Sequence, residues 1–312
     1  MAPCDWVVLS YNVLLWGLAL GGTGAMQASC IGLTSLSASL VFGVFFLYRS
    51  GLWSQGRGPQ LAYRLALYGS LQLSYFTLRY LLPTATRGVR LDGQLHHIDV
   101  ALFGVEPTLW LDQFVTPATT EWFSFFYFSY FMVLAVHVVP LLFLSRRSKL
   151  VSEFALGLLG VYCVSQAIYF LVPGYGPLSY LKDHYQHALP HGFWLDTVLE
   201  AVAAGGAFLD IFPSLHTGGP LYIALFSIYH RDELPFRYTW PVALFFSLNI
   251  MIATLFLRWH YAIDVVAGTA MAFTWLFLAA RWTRREESRR AAVSPRTPLW
   301  APLLPERASR SL

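Results

Sequence analysis

Two short runs in a very apolar chain carry ionisable side chains at spacings that can do chemistry. In Arg258-Trp259-His260-Tyr261-Ala262-Ile263-Asp264, His260 and Asp264 are four residues apart, so on a helix they stack on one face. A carboxylate placed there can accept one imidazole N–H, fix the tautomer and leave the other nitrogen as a base or nucleophile. A polar pair that merely satisfies itself at a helix end would show the same spacing. In Phe212-Pro213-Ser214-Leu215-His216-Thr217-Gly218-Gly219, Pro213 suits the first turn of a helix. The amides of Ser214, Leu215 and His216 would then point outward with the positive end of the helix dipole, a cradle for phosphate with His216 beside it. A Pro-initiated helix whose histidine is only interfacial fits that run as well.

The elements that must position these residues follow from composition. Of 312 residues, 56% are hydrophobic and 12% charged, the latter about half the share usual in soluble domains. A water-soluble fold is excluded as the leading idea. Aromatic residues reach 17%, with 11 Trp and 17 Tyr, types that collect where a bilayer meets water. The pattern predicts an all-α, polytopic membrane bundle. A span needs roughly 20 mostly apolar residues, and eight stretches qualify: Trp6 to Met26, Ile31 to Tyr48, Leu61 to Leu82, Trp122 to Leu144, Val151 to Val172, Ser214 to Tyr229, Tyr238 to Leu257 and Tyr261 to Trp282. The start of the chain lacks a positive n-region, so the first stretch reads as a retained span rather than a cleaved signal peptide. Gly21, Gly22 and Gly24 weaken its end. Cys4, Cys30 and Cys163 are too few for a disulfide framework or metal cluster.

The net charge of +4 does not point to nucleic acid, because the basic residues lie between apolar runs and report topology. With the C-terminus inside, the inner face holds Arg49, Arg57, Arg64, Arg146, Arg147, Lys149, Arg231, Arg237 and the eight arginines from Arg281 to Arg310, or 16 of the 21 Lys and Arg. Arg79, Arg87, Arg90, Lys182 and Arg258 fall outside. So do His216, His260 and Asp264, which places all the candidates on the non-cytoplasmic face. Two outer segments, Pro83 to Glu121 and Pro173 to Pro213, are too long for plain turns. In the first, Ile98 to Leu111 is apolar but short, suiting an interfacial or re-entrant helix. Residues 1–60 read as N-terminal membrane helices and 283–312 as a disordered cytoplasmic tail; between them 61–282 is the membrane domain that holds both runs.

Taken together, F-P-S-L-H-T-G and, 44 residues after His216, H-Y-A-I-D-V-V-A-G resemble the signature of the type 2 phosphatidic-acid phosphatase superfamily. Leu78-Arg79-Tyr80, Ile98-Asp99 with Leu102-Phe103-Gly104, and Tyr169 to Pro173 with Gly176-Pro177 are similar to its inositol-phosphorylceramide synthase branch. The resemblance implies that 61–282 is a catalytic membrane domain with a six-helix core. It implies a lipid phosphatase or phosphotransferase that cleaves or transfers the phosphoryl group of a phospholipid or lipid-linked phosphate, to water or to an alcohol, with no metal or cofactor. It implies His260 as the nucleophile that becomes a phosphohistidine, Asp264 holding its far nitrogen, and His216 as general acid and then base. Simple lipid phosphatases of this type carry a Ser-Arg pair where Ala253 and Thr254 stand here, a departure shared with the synthase branch. Phosphate charge would then fall to Arg79, first choice as a cation near the outer end of a span, with Lys182, Arg258 and the amides near Ser214. The rival class is a non-catalytic transporter or scaffold that kept the motifs by descent.

Other polar residues read as supporting. His96-His97-Ile98-Asp99 lacks further partners at metal-ligand spacing and reads as an outer-loop cluster. His184, His187 and His191 read as solvated, His137 as a hydrogen-bonded packing residue, and Arg281 to Arg290 as an anchor on anionic lipid.

Overall fold

A computed structural model describes residues 1–53, 56–293, 300 and 303. Among them every regular element is helical, the solution required where backbone polar groups must be satisfied without water. The α-helices are α1 Pro3–Gly21, α2 Gln27–Arg49, α3 Arg57–Thr86, α4 Asp92–Phe103, α5 Pro107–Leu111, α6 Pro117–Val139, α7 Ser148–Ile168, α8 Pro177–Tyr180, α9 Phe193–Gly205, α10 Leu215–Tyr229, α11 Phe236–Phe256 and α12 Ala262–Val293. The chain is thus an all-α, polytopic membrane bundle. Large apolar side chains such as Leu36, Phe42, Val136, Val242 and Phe277 stand exposed on its flanks, where a bilayer would cover them.

Among the described residues six helices are long and apolar enough to cross a membrane: α1, α2, α6 with its π-helical continuation to Leu144, α7, α11 and α12. The other two expected spans are helical but differ in kind. α3 has 30 residues and includes Gln60, Arg64, Gln72 and Arg79, so its apolar face is interrupted. α10 has only 15 residues, about 22 Å of helix. It packs against α6, α7, α11 and α12, with Tyr222, Ile223, Ala224 and Phe226 fully buried. A helix jacketed by protein need not match the bilayer thickness and can carry Gly218, Gly219 and Pro220 in its interior.

Three boundaries depart from the sequence reading. α1 stops at Gly21 rather than Met26, where Arg87 donates to the Gly21 carbonyl at 3.0 Å and Thr23 N–H reaches Thr84 O at 3.1 Å. The short outer helix is α4, which begins at Asp92 and ends at Gly104 with φ +76°, a left-handed stop suited to glycine. α12 continues to Val293, held past the apolar stretch by pairs such as Arg290–Glu286 at 2.8 Å. The expected disordered tail beyond Val293 lies outside the described residues, apart from Trp300 and Leu303. Trp300 is buried, its ring 5.4 Å from that of Tyr63.

Both ends of the bundle are tied by charge. At one, Asp5 receives Arg49 at 2.8 Å and the Tyr63 hydroxyl, joining α1, α2 and α3. At the other, the segments 87–116 and 172–214 pack on the starts of α6 and α12, where Glu121 accepts the Trp194 amide at 3.0 Å and Asp99 the Ala262 amide at 2.6 Å.

Candidate active site

The site is built where two helix starts touch. The first residue before α10, Ser214, donates its amide to the Asp264 carbonyl at 3.0 Å, and the Cα of Gly268 lies against the Ser214 carbonyl so closely that a side chain would collide with it. This is the physical reason for a small residue at the end of H-Y-A-I-D-V-V-A-G. It lets α12 approach α10 until the rings of His216 and His260 lie 6.1 Å apart, centre to centre.

His260 sits in the turn between α11 and α12. Its amide and that of Trp259 both bond to the Thr254 carbonyl, at 3.2 and 3.0 Å. Its Nδ1 lies 3.3 Å from Asp264 Oδ2, which also accepts the Tyr261 amide at 2.9 Å. Asp264 is fully buried and its Oδ1 has no partner among the described residues. Burial lowers His260 to about 4, against the pull of the Asp210 carboxylate, so near neutrality the imidazole is uncharged and nucleophilic. His216, in the first turn of α10, is sandwiched by Tyr127 and Tyr130 of α6 at 4.3 and 4.4 Å between ring centres.

Both histidines line a cavity of about 230 Å³ enclosed by α3, α6, α7, α9 and the turns before α10 and α12. Its wall is largely aromatic. Asp210, Gln72 and Gln166 are the polar groups set among tyrosines, and none of the described lining residues is Lys or Arg. Burial raises the Asp210 carboxyl, opposed by hydrogen bonding to its own backbone and by His260.

The structure thus brings His216, His260 and Asp264 together and places Ser214 beside them as a helix cap. The Ser214 hydroxyl accepts the Thr217 amide at 3.3 Å. Pro213 therefore precedes the cap instead of opening the helix, and the Ser214 amide is taken by Asp264. The amides of Leu215 and His216 keep no acceptor among the described residues, so a two-donor cradle remains.

The three cations are elsewhere. Arg79 reaches the carbonyls of Ala203 and Ala204 at 3.4 Å, at the end of α9. Lys182 is exposed on a short 3-10 turn. Arg258 is buried, with a φ of +67° turning its side chain away from the cavity to Asp112 at 2.7 Å, the His187 carbonyl at 2.6 Å and the face of Tyr185. None of them lines the cavity. Of the side residues, His96 pairs with Glu106 at 2.7 Å, His191 with Asp196 at 2.6 Å, and His137 bonds the Val133 carbonyl one turn back.

Sequence reasoning missed Asp210, Tyr127 and Tyr130. Asp210 could have been flagged as a lone acid in the apolar loop just before Pro213. The tyrosines gave no local signal, since a spacing of three on an apolar helix marks any packing face.

Adjacent helix starts of a helical membrane bundle thus present two histidines, one backed by a carboxylate, to one cavity. The chain belongs to the PAP2 superfamily, whose sequence profile matches residues 93–278, from α4 to the middle of α12. The superfamily comprises phosphatases and phosphotransferases, and membership supports action on lipid phosphates in general. No curated protein and no solved structure matches the chain. α1 to α3, and with them Arg79, lie outside the matched stretch.

Proposed function

We propose that this protein is an integral-membrane phosphotransferase that moves a phosphoryl-linked headgroup from a phospholipid to an alcohol, in the manner of the inositol-phosphorylceramide synthase branch. The observation that carries this reading is the meeting of His216 and His260 in one cavity, with Asp264 at Nδ1 of His260. In the first step the Nε2 lone pair of His260 forms a P–N bond as the P–O bond to the leaving group breaks. His216, which takes up a proton as the phosphate anion binds beside it, donates that proton to the departing oxygen. In the second step the acceptor hydroxyl gives its proton to His216 and attacks phosphorus, and the P–N bond breaks to restore His260. Asp264 orients the ring and balances the charge it acquires. The Leu215 and His216 amides hold a non-bridging oxygen.

Transfer is favoured over hydrolysis by the lining. A phosphomonoester brings close to two negative charges, and a cavity with Asp210 and no Lys or Arg among its described lining residues has only His216 and two helix-start amides to meet them. A phosphodiester brings one. Gln72, Gln166, Asp210 and the tyrosine hydroxyls suit the many hydroxyls of a neutral polyol headgroup, and an aromatic wall keeps water scarce. Residues 61–282 form the catalytic unit, with the site on the non-cytoplasmic face and the C-terminus inside, as the basic residues indicate.

The test is direct. Purified protein is incubated briefly with phospholipid radiolabelled at phosphorus and quenched in alkali. Acid-labile, alkali-stable label that disappears in His260→Ala is expected, and headgroup-exchanged lipid should outrun free phosphate. Free phosphate alone with every alcohol tried makes the protein a phosphatase. No label and no turnover of any lipid phosphate returns it to the non-catalytic class.

A further inference from the structure

Two buried carboxylates of α4 reach the segment that carries His260: Asp99 is engaged by it through both oxygens, Asp92 through the Tyr261 hydroxyl. Asp99 is fully buried. One of its oxygens accepts the Ala262 amide at 2.6 Å and the other accepts the Ile263 amide at 2.8 Å. These are the opening amides of α12, donors that a helix start leaves without internal acceptors, and a carboxylate there also meets the positive end of the helix dipole. Such a cap ordinarily comes from the residue just before the helix. Here that residue is Tyr261, which has no acceptor to turn back, and the cap arrives from another element.

Asp92, two turns earlier on α4, grips the same segment from behind. It accepts the Tyr261 hydroxyl at 3.3 Å and the amides of Tyr175 and Gly176 at 3.0 and 2.9 Å. Gly176 has φ +88°, and a Cβ on it would lie 2.5 Å from the Trp259 carbonyl. The Leu178 amide bonds the Arg258 carbonyl at 2.7 Å. The run from Arg258 to Ile263 is therefore held on its outer side by α4 and by the 173–178 strap, while His260 faces the cavity.

We propose that Asp99, seconded by Asp92, is a positioning residue for the nucleophile. By fixing the height and rotation of the first turn of α12, it sets where Asp264 meets Nδ1 of His260, and hence where the other ring nitrogen points. Neither α4 carboxylate lines the cavity, so neither touches the reacting atoms. Burial raises Asp99 to about 6, with Glu106 adding to the rise and the two amides and His96 opposing it. Near neutrality it is therefore a charged cap. The word nucleophile rests on the function proposed above; the clamp itself does not.

The experiment compares full-length protein in lipid nanodiscs with Asp99→Asn, which keeps one acceptor oxygen, and Asp99→Ala, which keeps none. In Asp99→Ala kcat should fall about a hundredfold, the scale on which small misplacements of a reacting group act, with KM unchanged. Asp99→Asn should lie between. In parallel, carbethoxylation by diethyl pyrocarbonate is followed residue by residue by mass spectrometry. The rate at His260 should change severalfold in Asp99→Ala, while His230, paired with Glu153 away from the site, reacts as in the parent. Should Asp99→Ala not fold, Asp99→Asn carries the comparison. A variant that only melts lower, with kcat per folded molecule and His260 reactivity intact, makes Asp99 a plain helix cap and overturns the inference. If the parent turns over no lipid while His260 reactivity still follows Asp99, the positioning stands and the functional reading falls.

Discussion

His260 is buried with its charge suppressed, and this ties the chemistry proposed for it to stability. Its folded value of about 4 lies below the ordinary 6.5, so between these values the unfolded chain binds more protons than the native one. Stability contributed by the neutral ring is complete above about 6.5 and is lost as pH falls towards 4, by at most about 3 kcal/mol. Thermal melting in nanodiscs should show that slope, and His260→Gln should flatten it. Asp99 acts with the opposite sign, since its carboxyl is raised from 3.8 to about 6: its contribution is present at low pH and is lost as pH rises through that window. On the activity side, Asp264→Asn should reduce kcat by about 10³ to 10⁴ while leaving folding intact, because the ring loses its fixed tautomer. A variant within tenfold of the parent rate would remove Asp264 from the mechanism. The convergence of the histidines and Asp264 was legible because its signals are local, a spacing of four and a Pro-Ser-Leu-His run at a helix start, although Pro213 precedes the cap rather than opening the helix as the sequence reading has it. The destinations of the cations were not. Arg258 is two residues from His260 in sequence, yet its side chain is claimed by Asp112, 146 residues away, and nothing near it in the chain announces that partner.

Between elements, the decisive contact is that of α10 with α12 at Gly268. Because Ser214 O fills the space a side chain would need, Gly268→Val must push the two helix starts apart. Overpacking of this kind costs about 1–3 kcal/mol, and the separation it forces falls on the His216 to His260 distance. The expected result is a lower melting temperature together with a loss of kcat larger than the fraction unfolded explains, Gly268→Ala being milder with the same sign. Normal turnover in Gly268→Val would show that the helices need not touch there. Hydropathy revealed the long helices because a bilayer imposes one simple pattern on any segment that faces it. It described α10 and α3 less well, since a helix enclosed by others answers to its neighbours. It also ended α12 too early. The arginines after Trp282 looked like a solvated tail, whereas Glu286 pairs with Arg290, and Glu287 meets Lys149 at 3.6 Å, so that polar helix continues beyond the apolar stretch.

For the whole molecule, the placement of basic residues predicts an orientation. The end of the bundle away from the cavity gathers Arg49, Arg147, Lys149 and Arg231 with acidic partners such as Asp5, Glu233 and Glu287, and 16 of 21 basic residues fall on that side in the sequence reading. The cavity end instead holds carboxylates turned inward onto backbone amides: Asp92, Asp99, Asp112 and Glu121. Positive charge close to span ends stays in the cytoplasm during insertion, so the cavity end should be the translocated one. With α3 and α10 both counted as spans the number is eight, and with neither it is six; either even count puts the two ends of the bundle's chain on one side. Single cysteines can read this out, because Cys4, Cys30 and Cys163 are all buried. Asp183→Cys and Arg231→Cys, both at exposed positions, are treated on intact cells with a membrane-impermeant maleimide. Asp183→Cys should label at once and Arg231→Cys only after permeabilisation. The reverse pattern would place the two histidines on the cytoplasmic side, and the lipid donor would then have to come from the inner leaflet.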